Sequence, residues 1–405
     1  MPHTHGIEAD ATQIAATSVD VVVVGAGPAG LCFVRALAGS GLRVAVVEQQ
    51  PRAALAEAAF DGREIALTHA SRKILERLGL WARLDAREIS PLRDAKVLDG
   101  SSPFALTFAA GREAGGDLGW LVPNHLIRRA AWDSVQGQAG LEILDQCSVR
   151  AIVPGPLHSE VTLADGRRLQ ARLVVAADSR FSSTRRMLGI GARMHDFGKS
   201  MLVCRMQVEV PHQHTAWEWF GHGRTLALLP LNGNQASAVI TLPPRQVEAL
   251  LAQDPVRFGE RVSAFFEHRL GAMTPVARAI AYPLVGVYAN AFVGERCALI
   301  GDAAVGMHPV TAHGFNLGLQ SQQRLAAVVR RAAERGADIA APGGLAGYER
   351  GHRLASRPLY EATNAIATLY TDDRLPARLL RRAGLRVAQG VTPFRQLIAA
   401  HLTQR

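Results

Sequence analysis

The apolar run Val21 to Val24, with the glycines that follow it, most constrains the fold of this chain. Four consecutive valines are too short for a helix and too apolar for a solvent-facing strand. They therefore predict a strand buried on both faces of a parallel sheet. Gly25, Gly27 and Gly30 follow with the spacing G-x-G-x-x-G. In such a turn the first glycine permits a tight bend, the second lets a pyrophosphate approach the backbone, and the third lets the next helix pack closely.

A helix, a second strand and an acid complete this pattern. The helix is predicted to begin near Pro28, where a missing N–H costs nothing, and its N-terminal dipole suits an anion. Gly41 ends the helix, and Val44 to Val47 predict another buried strand. Glu48 then stands where the ribose hydroxyls of an adenosine would lie. The glycines alone are a weak signal, but the whole succession favours dinucleotide binding over a plain βαβ unit.

Length, charge and cysteine usage bound the remaining possibilities. A chain of 405 residues predicts two or three domains. The net charge of +10 suits an anionic partner, and it equally suits the basic surface of an arginine-rich protein. No recognition-helix motif supports nucleic-acid binding. The four cysteines are far apart without metal-ligand spacing, which predicts no metal site and fits a reducing compartment. We expect neither a secretory signal in residues 1–18 nor a membrane-spanning helix.

Local patterns predict further elements. Leucines and an isoleucine between residues 67 and 80 recur at helical spacing. Arg63 precedes this helix, and the residues alone favour a solvated arginine there. Another helix is predicted from Pro123 with Asn124 as its N-cap, and others over 255–269 and from 311 to 334.

Strands and turns are predicted from alternating residues between turn signals. Asp99-Gly100 and Asp165-Gly166 mark two antiparallel hairpins. Leu173 to Ala177 predicts a separate short strand. Prolines at 358, 376 and 393 are expected to interrupt the helical C-terminal part.

The predicted fold class is α/β, and changes of pattern along the chain divide it into parts. A Rossmann-like nucleotide-binding domain carries an inserted, mainly antiparallel β substrate domain and a C-terminal helical segment. The predicted boundaries are a disordered tail at 1–18, the nucleotide-binding domain at 19–90, 118–189 and 285–345, the substrate domain at 91–117 and 190–284, and the helical region at 346–405.

Three separated motifs carry a family resemblance. They are GAGPAG at 25–30, AADSRFSSTRR at 176–186 and GDAAVGMHPVTAHGFNLGL at 301–319. From about residue 18 to 360 the chain resembles the flavin-dependent aromatic hydroxylases of the p-hydroxybenzoate hydroxylase type. GRTLALLPLNGNQASAVITL at 223–242 is similar to the substrate-domain strands of the branch that hydroxylates ubiquinone precursors. The resemblance implies a bound FAD, with NAD(P)H and molecular oxygen as co-substrates.

The resemblance also implies the residues that contact the cofactor. Arg63 matches the family arginine on the flavin side, which replaces the interpretation as a solvated side chain. Asp178 matches an acid associated with both FAD and the nicotinamide cofactor, and Asp302 matches the aspartate near the ribityl chain and pyrophosphate. The implied cofactor-binding residues are Gly25, Ala26, Gly27, Pro28, Ala29, Gly30, Glu48, Gln49, Arg63, Val149, Asp178, Gly301, Asp302, Pro309, Gly314, Phe315 and Asn316.

The sequence departs from the family pattern at several places. Ser179 follows Asp178 where glycine is usual, and Val305 replaces a histidine. Ala312-His313-Gly314 stands where Gly-Gln-Gly is common, and Asn124-His125 where an arginine is common. These departures bear on nicotinamide handling and flavin geometry more than on FAD binding.

The implied catalytic residues are His308, Pro309 and His313 in the flavin loop. One histidine would hydrogen-bond the substrate phenol or the peroxide; the alternative is a histidine that packs or bonds a backbone carbonyl. Trp217-Glu218-Trp219 is also similar to a motif of flavin halogenases, but it lacks the Ile-Pro that follows there. The predicted substrate pocket consists of Trp217, Trp219, Phe220, Leu229 and Pro230.

The activity implied is that of an FAD-dependent NAD(P)H aromatic monooxygenase. It would hydroxylate the ring of a polyprenylated phenol in ubiquinone biosynthesis through reduced flavin and a C4a-hydroperoxide. The alternatives are a soluble phenol hydroxylase, a polyprenyl reductase, or a non-catalytic flavin redox sensor.

The expected location is the cytoplasm, with or without membrane contact. After Asp373 there is no acidic residue, and arginines alternate with apolar residues through 374–405. This pattern is typical of a basic amphipathic surface that meets anionic lipid, and also of a solvated helix packed on a domain. The expected partners are a lipophilic small molecule, a membrane surface and other quinone-biosynthesis proteins.

Overall fold

The structure is a computed structural model that describes residues 16–100, 105–109, 116–221 and 223–371. Helices and strands are numbered along the chain. The described helices are α1 (Pro28–Ala36), α2 (Arg52–Ala56), α3 (His69–Arg77), α4 (Asn124–Val135), α5 (Ser183–Met187), α6 (Pro244–Leu251), α7 (Pro255–Phe265), α8 (Gly314–Glu334) and α9 (Pro342–Thr371).

The first sheet forms around the valine run. Val21 to Val23 have no exposed surface, as predicted for a strand buried on both faces. Within the described residues the sheet contains eight strands, which are β1 (Thr17–Val24), β2 (Val44–Val47), β8 (Leu141–Leu144), β9 (Val149–Val153), β10 (Ser159–Leu163), β11 (Arg168–Ala176), β18 (Val293–Gly294) and β19 (Cys297–Leu299).

Strands β19, β11, β1, β2 and β8 lie side by side in that order and run parallel. Helices α1, α4, α8 and α9 share one hydrophobic core with them. The hairpin predicted at Asp165-Gly166 is confirmed, because β10 pairs antiparallel with β11. β11 continues to Ala176 as one strand, so the separate strand predicted from Leu173 is wrong.

The second sheet is mainly antiparallel, as predicted, and β5 pairs with β13 in the parallel sense. Its order is β20-β17-β12-β15-β14-β13-β5-β6, and β16 pairs with β12. The described strands of this sheet are β5 (Asp94–Asp99), β6 (Ala105–Ala109), β12 (Ala192–Val208), β13 (Thr215–Gly221), β14 (Arg224–Pro230), β15 (Gln235–Leu242), β16 (Met273–Pro275), β17 (Ile280–Ala289) and β20 (Val305–Gly306).

The two faces of the second sheet have different neighbours. On the helix-covered face, alternate residues such as Leu202 and Leu228 join a core with Val262 of α7. On the other face, here called the inner face, Arg205 forms an ion pair with Glu64 at 2.8 Å. The inner face is therefore the one turned toward the residues before and after Arg63.

A small third sheet lies between these parts. It pairs β3 (Glu64–Leu67) and β4 (Ser90–Leu92) with β7 (Gly119–Pro123). The long helix predicted after Arg63 is wrong at its start, since β3 comes first. Thr68 then begins α3, because its side chain accepts a hydrogen bond from the Ser71 N–H.

Other boundaries differ from the predictions in specific ways. Asn124 is the first residue of α4 rather than its N-cap, and its side chain donates to Asp61 instead. α7 ends at Phe265, and α8 begins at Gly314 rather than at 311. α9 continues through Pro358, because side-chain contacts hold it on both sides of the proline.

All four cysteines lie in the described part of the chain as buried free thiols. Burial raises the pKa of Cys32 and of Cys204 to about 12. These thiols act as small apolar side chains of the core.

Candidate active site

Of the three glycines in the early turn, only one has free space where a side chain would stand. A Cβ at Gly25 would lie 2.6 Å from the Ala177 carbonyl oxygen, and one at Gly30 would lie 2.1 Å from the Gly25 carbonyl oxygen. Gly25 also has a φ of +108°, which L side chains rarely adopt. At Gly27 a Cβ would meet no described atom within 4 Å. Gly25 and Gly30 are thus required by the fold itself, whereas Gly27 leaves free backbone at the start of α1, which fits a pyrophosphate.

Glu48 borders the same turn at the end of β2. Its Oε2 accepts a hydrogen bond from the Ala26 N–H at 2.7 Å, and its Oε1 accepts one from Gln50 at 2.9 Å. Gln49 is exposed beside it. Val149 begins β9, two residues after Cys147, whose N–H donates to the Glu48 carbonyl. This edge of the first sheet can thus present a carboxylate to the hydroxyls of a ribose.

The late glycine loop lies directly against this turn. A Cβ at Gly301 would lie 2.9 Å from Cβ of Ala29, and Gly301 has a φ of +59°. Its N–H donates to the Ser321 hydroxyl of α8 at 3.0 Å. Pro28 and Ala29 are only partly buried at the start of α1. The structure therefore brings together two motifs about 270 residues apart in the sequence, as binding of one extended dinucleotide requires.

The middle motif joins the same place. Asp178 follows β11, and its carboxylate accepts hydrogen bonds from the Ser182 hydroxyl at 2.6 Å and the Thr184 N–H at 3.2 Å. Arg180 donates to Asp302 at 2.9 Å, and Arg185 donates to the Ala303 carbonyl at 2.9 Å. Asp178 thus fixes the start of α5, and the arginines attach that segment to the late loop.

Sequence reasoning did not single out Ser182, Arg180 or Arg185. Ser182 before a short helix is an N-cap signal, since its side chain accepts a hydrogen bond from Arg185. The partners of the two arginines depend on tertiary packing, and no local pattern announces them.

The flavin loop has an unusual backbone at Ala312. This residue follows the turn Pro309–Thr311 and has a φ of 53°, in the left-handed region that favours glycine. The family commonly has glycine there, so this departure is a local strain that the surroundings hold in place. Asn316 helps to hold it, because its side chain donates to Ala312 and Ala66 and accepts from Thr68.

The start of α8 is open. Among the described residues no side chain caps this helix, and a Cβ at Gly314 would meet no described atom within 4 Å. Phe315 is partly buried beside it. The free N–H groups and the positive dipole end of a 21-residue helix can stabilise negative charge placed here.

His308 is buried and neutral at pH 7. Burial, with the charges of Lys199 and Arg180, lowers its pKa to about 4. Its Nδ1 accepts a hydrogen bond from the Val310 N–H at 3.2 Å, so the ring proton of the neutral form is on Nε2. The ring also contacts Phe197 edge to face at 4.6 Å between centroids. His308 can therefore act as a hydrogen-bond donor through Nε2.

His313 is buried beside the same loop and bonds the Thr311 carbonyl through Nδ1. This contact is the structural alternative considered from the sequence. Its Nδ1 proton is committed to that carbonyl, so the ring is held in a fixed orientation at the start of α8.

Arg63 belongs to a polar network below the inner face. It bonds Asp61 at 2.6 Å, and its guanidinium lies 5.2 Å from the ring centroid of Tyr282. The Tyr282 hydroxyl donates to the Asp61 carbonyl at 2.6 Å. Burial raises the pKa of the Asp61 carboxyl, but Arg63 and the amide of Asn124 outweigh it, and the net pKa is lowered. Arg63 remains partly exposed, at 40% of its side chain, and can reach a ligand.

The predicted substrate residues fall on two faces of the second sheet. Trp219 lies in the helix-covered core, where its Nε1–H donates to the Gly100 carbonyl at 2.9 Å, and Trp217 packs against that core. Pro230 pairs with Ala236 on the same face. The residues next to these in the strands, Phe220 and Leu229, lie on the inner face. Only these two lie on the side of the sheet turned toward the flavin loop.

The described residues contain neither a metal-binding cluster nor a membrane-spanning helix. Within the described ranges, no three side chains of His, Cys, Asp or Glu come close enough together to hold a metal ion. Among the helices described, none combines the length and the apolar character needed to cross a membrane. The basic segment 374–405 lies outside the described residues.

Comparisons with known proteins assign the family. A model of the FAD binding domain matches residues 18–354. A ubiquinone hydroxylase, UbiM, of Neisseria meningitidis is 47% identical over 388 residues, covering 95% of this chain and 84% of the relative. A ubiquinone hydroxylase, UbiL, of Rhodospirillum rubrum is 35% identical over 382 residues, covering 94% and 89%.

Solved structures support the fold. PqsL of Pseudomonas aeruginosa, in complex with 2-aminobenzoylacetate, has a TM-score of 0.76 at 24% identity, covering 92% of this chain and 100% of that one. The p-nitrophenol 4-monooxygenase PnpA of Pseudomonas putida has a TM-score of 0.77 at 18% identity, covering 96% and 99%. Both confirm the α/β fold predicted from the sequence. With three motifs meeting around the early glycine turn, the chain belongs to the FAD-dependent monooxygenases that carry this FAD binding domain, in the branch that contains those two hydroxylases.

Proposed function

We propose that the protein hydroxylates the aromatic ring of a polyprenylated phenol, a precursor of ubiquinone, with NAD(P)H as reductant and oxygen as co-substrate. The observation that carries the proposal is the meeting of the turn at Gly25–Gly30 with the loop at Gly301. The 47% identity to a ubiquinone hydroxylase supports the substrate class.

The residues present fit FAD. Gly27 and the start of α1 would hold the pyrophosphate, Glu48 the adenosine ribose, Asp302 the ribityl side, and the start of α8 the ring system. FAD when bound supplies the redox chemistry that activates oxygen.

The chain itself would supply positioning, charge stabilisation and exclusion of water. Free N–H groups at Gly314 would stabilise negative charge on the reduced ring. His308, a donor through Nε2, would hydrogen-bond an oxygen atom of the substrate or co-substrate. The inner face would cover the phenol ring, which would hold it for attack and keep water away. Phe220 and Leu229 would form part of that cover.

The experiment is turnover of the purified FAD-containing protein under ¹⁸O₂. We expect 2-farnesylphenol to stimulate both NAD(P)H oxidation and oxygen uptake, and its product to carry one ¹⁸O atom. Equal stimulation by 4-hydroxybenzoate, which lacks a tail, would favour a soluble phenol hydroxylase. Loss of double bonds from the tail without oxygen uptake would favour a polyprenyl reductase. No response to any phenol would favour a redox sensor.

The proposed location is the cytoplasm with contact to a membrane surface, where a lipophilic phenol would reside. The arginines of 374–405 support this contact through the charge of anionic lipids. Other quinone-biosynthesis proteins are proposed as partners that deliver or receive the lipid.

A further inference from the structure

Glu218 is an acidic residue in the middle of β13, on the inner face. Side chains alternate between the two faces of a strand, and both neighbouring tryptophans pack on the helix-covered side. Across the inner face, Glu218 pairs in register with Ala227 of β14 and Val97 of β5. These neighbours are apolar, so the sheet itself gives the carboxyl group no side-chain partner.

A row of paired residues runs across the inner face from Glu218 to the strand that contacts Gly62, the residue before Arg63. Ala227 pairs with Val239, and Val239 pairs with Val203. Val203 Cγ2 lies 2.8 Å from where a Cβ at Gly62 would be, just before Arg63. Since adjacent strands are about 4.8 Å apart, Glu218 lies about 14 Å along the inner face from that contact.

Two further contacts place the β13–β14 hairpin near the flavin loop. The Lys199 ammonium donates to the Gly223 carbonyl at the hairpin turn at 3.5 Å, and its charge is close enough to lower the pKa of His308. Helix α9 packs on β13 and β14 and also bonds the flavin loop, through Thr363 and Thr311 at 3.1 Å. Glu218 thus lies on the inner face of a strand that α9 contacts, and the same helix bonds the flavin loop.

The carboxyl group of Glu218 has no hydrogen-bond or ion-pair partner among the residues that the structure describes. Its side chain keeps some accessible surface, yet the surrounding protein is close enough that burial raises its pKa well above the ordinary value. A polar group that protein surrounds without giving it a partner is costly, and such groups concentrate at sites that bind a ligand. The position therefore suits a group that a ligand completes.

We propose that Glu218 is a substrate-binding residue whose carboxyl group hydrogen-bonds the ring hydroxyl of the phenol. A carboxyl oxygen accepts a hydrogen bond from a phenol O–H whether or not the group is ionised, so Glu218 complements a free ring hydroxyl. The inference rests on the proposed function, because it needs a phenol ring between the inner face and the flavin loop. It adds a determinant of specificity: a ring without a free hydroxyl at this point would be rejected.

The test compares 2-farnesylphenol with its methyl ether, which cannot donate a hydrogen bond. Each is titrated into the purified FAD-containing protein, and the change in flavin absorbance gives Kd. We expect the wild type to bind the phenol about tenfold more tightly than the ether, as the loss of one hydrogen bond predicts. Glu218→Leu should bind both within about twofold, and Glu218→Gln should keep part of the preference, because an amide also donates and accepts.

Controls separate the inference from the proposed function and from misfolding. Glu248→Gln, on the exposed side of α6, should keep the full preference. Glu218→Leu should not lower Tm, since it removes a carboxyl without a partner; if this variant loses flavin, Glu218→Ala takes its place with the same expected loss of preference. Wild-type preference retained in Glu218→Leu or in Glu218→Ala, or a wild type that binds both ligands equally, would overturn the role of Glu218. A wild type that binds neither ligand would overturn the proposed function as well.

Discussion

The two glycines Gly27 and Gly30 should respond in opposite ways to replacement by alanine. A Cβ at Gly30 would lie 2.1 Å from the Gly25 carbonyl oxygen, so Gly30→Ala forces backbone apart. Such overpacking costs about 1–3 kcal/mol of the free energy of unfolding. At Gly27 a methyl group meets no described atom within 4 Å, and the backbone angles of −70° and 173° are allowed for alanine.

The apo-protein with Gly27→Ala should therefore be as stable as the wild type or more stable. Replacing glycine where alanine fits without strain stabilises by about 0.4–1 kcal/mol, because the unfolded chain has fewer conformations. FAD binding should change in the other direction, since the methyl group occupies the approach of the pyrophosphate to the backbone. Loss of a hydrogen bond to a charged group costs about 1.5–3 kcal/mol. This corresponds to a Kd for FAD about 10- to 150-fold higher.

The assay combines denaturant unfolding of the FAD-free protein with FAD titration followed by flavin fluorescence. The expected pattern is unchanged or raised apo stability with weakened FAD binding for Gly27→Ala, and lowered apo stability for Gly30→Ala. The reasoning would be refuted by a Gly27→Ala protein that binds FAD as tightly as the wild type. It would also be refuted if Gly27→Ala destabilised the apo-protein as much as Gly30→Ala does.

Four other predictions follow from contacts described above. Arg205→Ala should destabilise the protein by about 3 kcal/mol in denaturant unfolding, because it leaves the fully buried Glu64 without its ion-pair partner; a loss below about 1 kcal/mol would contradict this. The pKa of His352 is lowered by burial to about 3, below its value in the unfolded chain, so its contribution to stability is complete above about pH 6.5 and is lost as the pH falls toward 3. His352→Leu should thus reduce the loss of unfolding free energy between pH 7 and pH 5 by about 2 kcal/mol, and an unchanged pH profile would count against it. His308→Ala should lower the product formed per NAD(P)H consumed about 10- to 100-fold, whereas unaltered coupling would exclude a role for its Nε2 donor. Removal of 374–405 should weaken sedimentation with anionic vesicles but not with neutral ones, and equal binding to both would remove the proposed membrane contact.

The first sheet could be predicted because its signals are local. The valine run and the glycine spacing each lie within one strand, one turn and one helix, and the structure pairs β1 in parallel with β2 and β11. The meeting of Gly301 with Ala29 could be anticipated only through the family resemblance, since no local pattern connects residues so far apart.

The third sheet could not be predicted from local patterns. Strand β3 has only four residues, and it exists because β7, more than fifty residues later, pairs with it. Apolar residues in β3 and α3 together imitate one helical period, so the sequence favoured a helix.

The sequence also did not predict which face of β13 is turned toward the ligand. Apolar side chains stand on both faces of this strand, so alternation alone does not say which face meets the ligand. Packing of α6 and α7 decides the matter by covering the face of Trp219, which leaves Glu218 and Phe220 for the other side. The sequence therefore favoured Trp217 and Trp219 as pocket residues, and no local pattern distinguished Glu218 between them.

The burial of the cysteine thiols bears on how readily hydrogen peroxide would oxidise this protein during turnover. An oxygen-activating flavoprotein whose turnover becomes uncoupled releases hydrogen peroxide, which oxidises thiolates to sulfenic and sulfinic acids. With the pKa of Cys32 and Cys204 raised to about 12 and that of Cys297 to about 11, almost none of these groups is ionised at neutral pH. Peroxide released during turnover would therefore oxidise Cys32, Cys204 and Cys297 only slowly.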